Sequence, residues 1–514
     1  MRLKMILPNL LIAAALLAAA AAWGANRVSA TQTQIDLPSP RITSAKTIFV
    51  NVMLNTEPTE AVVANLSNYG VVVDVIDQLN AVVLQTREEE LVAIHSNSYV
   101  VSAESDTSTT IAPLDAATIQ QSSGLNDIRA TAVARLSATS NVQPASGRSS
   151  FNQDAINITD LGIGRTVSED GDGVYVALID TGLVPAWRSH LPEKQVNIGY
   201  ARAFSEEDRQ GKGLATGGSH AWEKDPSSHG TFLAGMILGF DVDDPAVSPA
   251  AQGLVEGTAP AATLIPIRTT SDQDPSRTTA SIVSRALVYA ASLKERSLRD
   301  NPLVVCLAVA FAHDEPIVRE AMNYAIAHGL IVVVAAANNG EEGMGYPAAY
   351  PEAISVGASG WIGQWQVGAD GNPSNFWRSD DVLEPTSSQD FFITDYSSRQ
   401  LPGQYLDVIA PGHLIFGPGQ LPGGPPDHFF GTGTSASTPH VVGIVALMAQ
   451  KRPQITQSEA EEILKRTAVP MGPGCRTVVE PLYGSNAWIY CWGPDAIGSG
   501  LVDAQAALAA TPIP

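Results

Sequence analysis

The feature that most constrains the fold of this 514-residue chain is a recurring set of short, unbroken apolar runs. Val-Tyr-Val-Ala-Leu-Ile at 174–179 lies between Gly173 and Gly182, and runs at 263–267, 303–309, 330–336, 353–356 and 406–410 repeat the pattern. A strand that is apolar at every position, not only at alternate ones, has both faces covered, as in a parallel sheet. Helical periods lie between the runs: Ile282, Val283, Ala286, Leu287, Ala290 and Leu293, then the segment 316–328. Strand alternating with helix predicts an α/β unit, a mostly parallel sheet with helices on both faces and right-handed crossovers. Such sheets place their sites at the carboxyl ends of the strands.

This unit occupies residues 151–514, and a smaller one precedes it. From about 46 to 105 the apolar patterning reads β-α-β-β-α-β, which predicts a small α+β split-βαβ, ferredoxin-like domain. Residues 106–150 shift to Ser, Thr, Ala and Gln and read as a linker or processing region. At the start, Arg2 and Lys4 precede an apolar segment at 10–22, and Val28-Ser29-Ala30 suits signal peptidase. Residues 1–30 therefore read as a cleaved secretory signal, with 31–105 as the domain that follows it. On topology alone that domain could be an adhesion or regulatory module, but its place after a signal favours a prosegment.

Thirty basic against 52 acidic residues, a formal net charge of −22, exclude nucleic acid and an anionic membrane surface as main partners. No later run reaches ~18 apolar residues, so the expectation is a secreted monomer, extracellular or periplasmic, free of the membrane once the signal is removed. Of the three cysteines, Cys475 and Cys491 could close a small disulfide, while Cys306 inside an apolar run reads as a buried free thiol.

Four stretches carry chemistry. Gly431-Thr432-Gly433-Thr434-Ser435 leads into the apolar run 441–448, so Ser435 is expected at the N-terminus of a buried helix. Free N–H groups and the positive end of the helix dipole suit a nucleophile whose attack creates an oxyanion. Pro439 is expected within the first turn, where no N–H is needed. Asp180 closes an apolar strand, and His229 opens a helix whose dipole is expected to keep the imidazole neutral. Asn338 and Asn339 follow the run at 330–336 and offer side-chain amides. Taken singly, each has an ordinary reading as a cap, a core histidine or a turn residue.

Together these pieces resemble the subtilisin-like (S8, subtilase) serine peptidases. The resemblance covers most of 151–508: Asp-Thr-Gly after an apolar strand, Ser-His-Gly-Thr opening a helix, and Gly-Thr-Ser-x-x-Thr-Pro-His before the central helix. Gly257-Thr258-Ala259-Pro260, Tyr346-Pro347-Ala348-Ala349-Tyr350-Pro351, Ala410-Pro411-Gly412 and Gly500-Leu501-Val502-Asp503-Ala504 support it. It implies an endopeptidase in which Ser435 attacks the peptide carbonyl, His229 moves the proton and Asp180 orients the imidazole. Asn339 and the Ser435 N–H would bind the oxyanion, Ala308, Val309, Ala310 and Asn338 would border the substrate, and the small domain would be an inhibitory propeptide.

The chain departs from the family where Asn338 replaces a glycine, Ala308-Val309-Ala310 replaces Ser-Leu-Gly, and Ala436-Ser437 replaces Met-Ala. A serine-carboxyl peptidase shares Thr-Ser-Ala-Ser but lacks His-Gly-Thr, a decayed scaffold would not keep all four polar residues, and a nucleotide loop would need a lysine. No cofactor is expected for the chemistry and no metal ligand is assigned. Structural calcium is a family feature, but the acidic stretches 169–172 and 241–244 complete no ligand spacing.

Overall fold

A computed structural model describes residues 46–111, 150–160, 163–205, 221–242, 254–365, 382–420, 424, 426–480 and 487–513. The expected signal at 1–30 and most of the 106–150 linker lie outside the described residues.

The small domain comprises β1 (Thr47–Leu54), α1 (Glu60–Leu66), β2 (Gly70–Ile76), β3 (Ala81–Arg87), α2 (Leu91–His95) and β4 (Val100–Ser105). Its antiparallel sheet has the order β2-β3-β1-β4, so the two halves of the β-α-β-β-α-β sequence interleave as the patterning predicts. Val50, Val52, Leu54, Val82 and Leu84 present one core to Leu66 of α1 and Ile94 of α2. A further short strand, β5 (Ser108–Thr110), leaves this domain and pairs elsewhere.

The large domain is built on β6 (Tyr175–Asp180), β7 (Arg202–Ala203), α3 (His229–Leu238), β8 (Thr263–Arg268), β9 (Arg277–Thr279), α4 (Ala280–Arg296), β10 (Leu303–Leu307), α5 (Pro316–Ala327), β11 (Leu330–Ala335), β12 (Ile354–Trp361), β13 (Phe391–Ile393), β14 (Val408–Pro411) and α6 (Thr434–Lys451). The sheet runs β13-β12-β11-β10-β6-β8-β7 with β14 also on β12, and every pairing is parallel except the antiparallel edge strand β13. β10 and β11 are buried at every residue, which explains why their sequences show no alternation. Cys306 lies there, fully buried, and burial raises its thiol well above the ordinary range, so it is inert.

Helix α6 crosses the back of the sheet, and nearly every side chain from Ala436 to Ala449 is buried. Pro439 stands inside this helix, beyond the first turn where the sequence alone places it. The missing N–H leaves the Ser435 carbonyl without its helical donor, a defect of about 3 kcal/mol in an exposed helix. Each buried Val, Ile or Leu contributes about 1.5–3 kcal/mol, so the apolar surface of α6 offsets that cost.

Candidate active site

Asp180 is the last residue of β6 and is wholly buried. Its Oδ1 accepts the Thr181 N–H at 2.7 Å and the Thr181 hydroxyl at 3.0 Å. His229 is the first residue of α3, and its Nδ1–H donates to the same Oδ1 at 2.8 Å. The two motifs can meet because Gly230 has no side chain: a Cβ there would stand 2.2 Å from the Gly182 carbonyl. With Nδ1–H committed to Asp180, the lone pair of the neutral ring is at Nε2, the atom a general base uses.

Burial alone would lower the His229 pKa, but the charge of Asp180, its hydrogen bond and the charge of Asp225 outweigh burial and raise it above 6.5. The helix-dipole expectation of an easily neutralised ring is therefore reversed by the carboxylates behind it. A base must be unprotonated, so activity is lost as pH falls through this raised value. The acid limb of kcat/KM against pH on a peptide substrate should thus have its midpoint above the ordinary histidine value of 6.5. A midpoint at or below it would show that Asp180 does not hold the charged form of His229 in this way.

Ser435 is the second residue of α6, half-buried, on a helix that packs against α3. Gly433, at φ +139°, forms the turn that swings the chain into this helix. The Asn338 Oδ1 accepts the Thr434 N–H at 2.9 Å and the Thr434 hydroxyl at 3.1 Å. Its Nδ2 stands 3.0 Å from where a Gly433 Cβ would lie. Asn339, expected to supply the oxyanion amide, donates its Nδ2–H to the Gly343 carbonyl at 3.4 Å and its backbone N–H to Ser398 Oγ at 3.0 Å. Ala337, at φ +84°, stands between β11 and the two asparagines, and of the two it is Asn338 that bonds the nucleophile turn.

Ala308, Val309 and Ala310 continue from β10, and β5 reaches the last of them. It pairs antiparallel with β9, matching Thr110 to Arg277, and the Thr109 hydroxyl donates to the Ala310 carbonyl at 2.6 Å. The Ile111 N–H donates to the Ser276 carbonyl at 2.7 Å, and its side chain is buried. Neither β5 nor β9 was legible in the sequence, since Ser-Thr-Thr and Arg-Thr-Thr show no apolar alternation. Asp225 was missed as well. It is buried, with Oδ2 accepting the Thr231 N–H at 3.1 Å and hydroxyl at 2.9 Å and Oδ1 accepting the Ser227 hydroxyl at 2.8 Å. Its place four residues before His229 was the available signal.

Cys475 and Cys491 are bonded across β15 (Gly474–Val479) and β16 (Ala487–Trp492), a cross-strand pair. In the 169–172 stretch the Asp170 Oδ1 accepts from Asp172 N and Gln450 Nε2, so that oxygen is already engaged. Among the described residues no cluster of three acidic, histidine or cysteine side chains could hold a metal, and part of 241–244 lies outside them.

The family model described as the Subtilase family matches residues 171–493. Subtilisin E of Bacillus subtilis is 28% identical over 341 residues, 66% of this chain and 66% of its own length. An intracellular serine protease of Paenibacillus polymyxa is 28% identical over 313 residues, 59% of this chain and 76% of its own. The crystal structure of fervidolysin from Fervidobacterium pennivorans superposes with a TM-score of 0.58 at 20% identity, covering 93% of this chain and 63% of that one, which shows the α/β fold. The chain thus spans just under two thirds of the length of Subtilisin E and of fervidolysin. With the model match over more than half its length, this chain belongs to the subtilase family of serine peptidases.

Proposed function

We propose that the protein is a secreted serine endopeptidase made as an autoinhibited zymogen. Ser435 attacks the peptide carbonyl, and His229 accepts its proton at Nε2 and passes it to the leaving amine. Asp180 holds the ring and stabilises its charged form. The Ser435 N–H and the Asn338 Nδ2–H bind the oxyanion, replacing Asn339 in that role. Subtilases need no cofactor for this chemistry, and polypeptides are the substrates. Export is read from the N-terminal segment, because the family also includes an intracellular protease; among the described residues no helix is long and apolar enough to cross a membrane.

The observation that carries the zymogen reading is β5. A segment of the chain's own N-terminal part lies along β9 as an added strand, with the Thr109 hydroxyl on the Ala310 carbonyl, an arrangement like that of a strand-added peptide. The small domain that delivers it is anchored to the large one. Arg285 of α4 pairs with Asp74 and donates to the Val75 carbonyl at 2.9 Å. Asp106 accepts the Ser281 N–H and hydroxyl, each at 2.9 Å, and so caps the N-terminus of α4 from the other domain. Cleavage would follow Ile111, within the segment before Ser150, leaving residues 46–111 as a product-like inhibitor. The mass and N-terminal sequence of the purified protein test this: a chain beginning between 112 and 150 is expected, and one beginning at 31 would leave the small domain as a permanent module.

The same contact makes release depend on pH. Glu315, at the start of α5, is 3% exposed beneath the docked domain. Burial holds its carboxyl up at about 7, with the Thr107 bond opposing and the charges of Asp106, Glu104 and Asp314 adding. The neighbouring Tyr350 hydroxyl donates to Asp314 at 2.6 Å and accepts the Glu315 N–H, while Arg319 lies over the Tyr350 ring and pairs with Glu352. A carboxyl raised in the docked state favours docking fully below its ordinary range, and that contribution is lost as pH rises through about 7. The cleaved small domain should therefore dissociate faster at about pH 8 than at about pH 5.5, with Glu315→Gln flattening the difference. Equal rates for the parent at both values, read by size-exclusion chromatography of the cleaved complex, would refute it.

A further inference from the structure

The hairpin β15–β16 carries a buried acid that the triad does not use. Glu480, one residue beyond β15, is 1% exposed. Its Oε1 accepts the Tyr490 hydroxyl at 2.8 Å from the opposite strand and the His413 Nε2–H at 2.8 Å. His413 follows Ala410-Pro411-Gly412, is itself buried, and lies among the rings of Phe392, Tyr396 and Tyr490. A carboxylate on Nε2 fixes which way the ring faces, because a flipped ring would set a carbon against it. The other nitrogen, Nδ1, then stands 3.2 Å from the Thr432 hydroxyl, which also accepts the Leu414 N–H at 3.3 Å. Thr432 lies three residues before Ser435. The turn between them has little slack: the Gly433 N–H donates to the Gly412 carbonyl at 2.9 Å, and a Cβ at Gly412 would meet Ser437 Oγ at 2.0 Å.

We propose that Glu480 and His413 are positioning residues for the nucleophile. The disulfide-closed hairpin holds the imidazole, the imidazole holds the Thr432 hydroxyl, and that hydroxyl sets the turn presenting Ser435. The proposal rests on Ser435 being the nucleophile, and adds that a hairpin outside the parallel sheet completes its setting. Nothing in the chain of contacts touches the peptide, so its loss acts on kcat and leaves substrate binding alone.

The test uses the mature enzyme, measuring kcat and KM on a peptide substrate together with the rate of labelling by a fluorophosphonate probe, whose attachment point is located by mass spectrometry. Glu480→Ala and Thr432→Val should each lower kcat about ten- to a hundredfold, the range a misplacement of about 1 Å produces, with labelling slowed in parallel. KM should stay within about twofold, the pattern of an interaction felt only in the transition state. Glu480→Gln keeps an oxygen for both donors and should recover kcat to within about threefold of the parent. If Glu480→Ala does not fold, the near-isosteric Thr432→Val and the Gln variant carry the test. A parent-like kcat in Thr432→Val, or a Glu480→Gln enzyme as impaired as Glu480→Ala, overturns the proposal. A parent labelled elsewhere than at Ser435 refutes the nucleophile assignment, and this proposal with it.

Discussion

Ser435→Ala should abolish peptide hydrolysis, lowering kcat by about 10⁶-fold, the loss known for the nucleophile of subtilisin and expected here if Ser435 is the nucleophile we propose. The neighbouring hydroxyls on α6 are poor substitutes: Thr434 is held by Asn338, and Ser437 is buried one turn into the helix. The variant should fold, since a half-buried hydroxyl at the start of a helix with an apolar body contributes little to the core. It should also keep residues 31–150 when purified away from other proteases, because the chain would lack the means to cut itself. Both results come from one preparation, by activity on casein and intact mass. Processing at the parent's site without Ser435 would assign maturation to another protease, and activity within about tenfold of the parent would remove Ser435 from the mechanism.

Asn338→Ala should lower kcat by about 10²–10³ with KM little changed, again the magnitude of subtilisin's own oxyanion amide. The amide is held ready: two donors from Thr434 fix Oδ1, which leaves Nδ2 facing the turn that ends at Ser435. An amide that meets the oxygen only once charge develops stabilises the transition state and not the bound substrate. Asn339→Ala, by contrast, should stay within about threefold of the parent, the scale of a weak surface hydrogen bond. Steady-state kinetics on one peptide substrate decides between them. The reverse ranking would mean that the two side chains exchange places once substrate binds.

The two asparagines show where reading the chain in one dimension stops. The run Val332-Val333-Val334-Ala335-Ala336-Ala337 identified the strand and placed two amides at its end, and the family resemblance selected Asn339. The proposal for Asn338 rests on its bond to Thr434 beyond a positive φ at Ala337, and no periodicity records a single backbone angle. Pro439 is a similar case, since only the position of Gly433 as the helix cap decides that the proline lies beyond the first turn. His229 is a third: its place at a helix N-terminus was legible, but the sign of its pKa shift depends on two carboxylates that approach it through space.

By itself the sequence determined the α/β sheet, the order of its strands and helices and the small β-α-β-β-α-β domain, and its resemblance to the subtilases carried the expectation that Asp180, His229 and Ser435 do the chemistry. These are local matters: a strand buried on both faces must be apolar throughout, and a strand-end acid or a helix-start serine is written in consecutive residues. Only the tertiary structure decided that Asn338 bonds Thr434, that Ser108–Thr110 lies along Arg277–Thr279, and that Glu480 reaches His413 across 67 positions of chain. Those contacts join polar residues far apart in sequence. Polar residues leave no period to read, so their partners are chosen by the packing of the apolar elements that carry them.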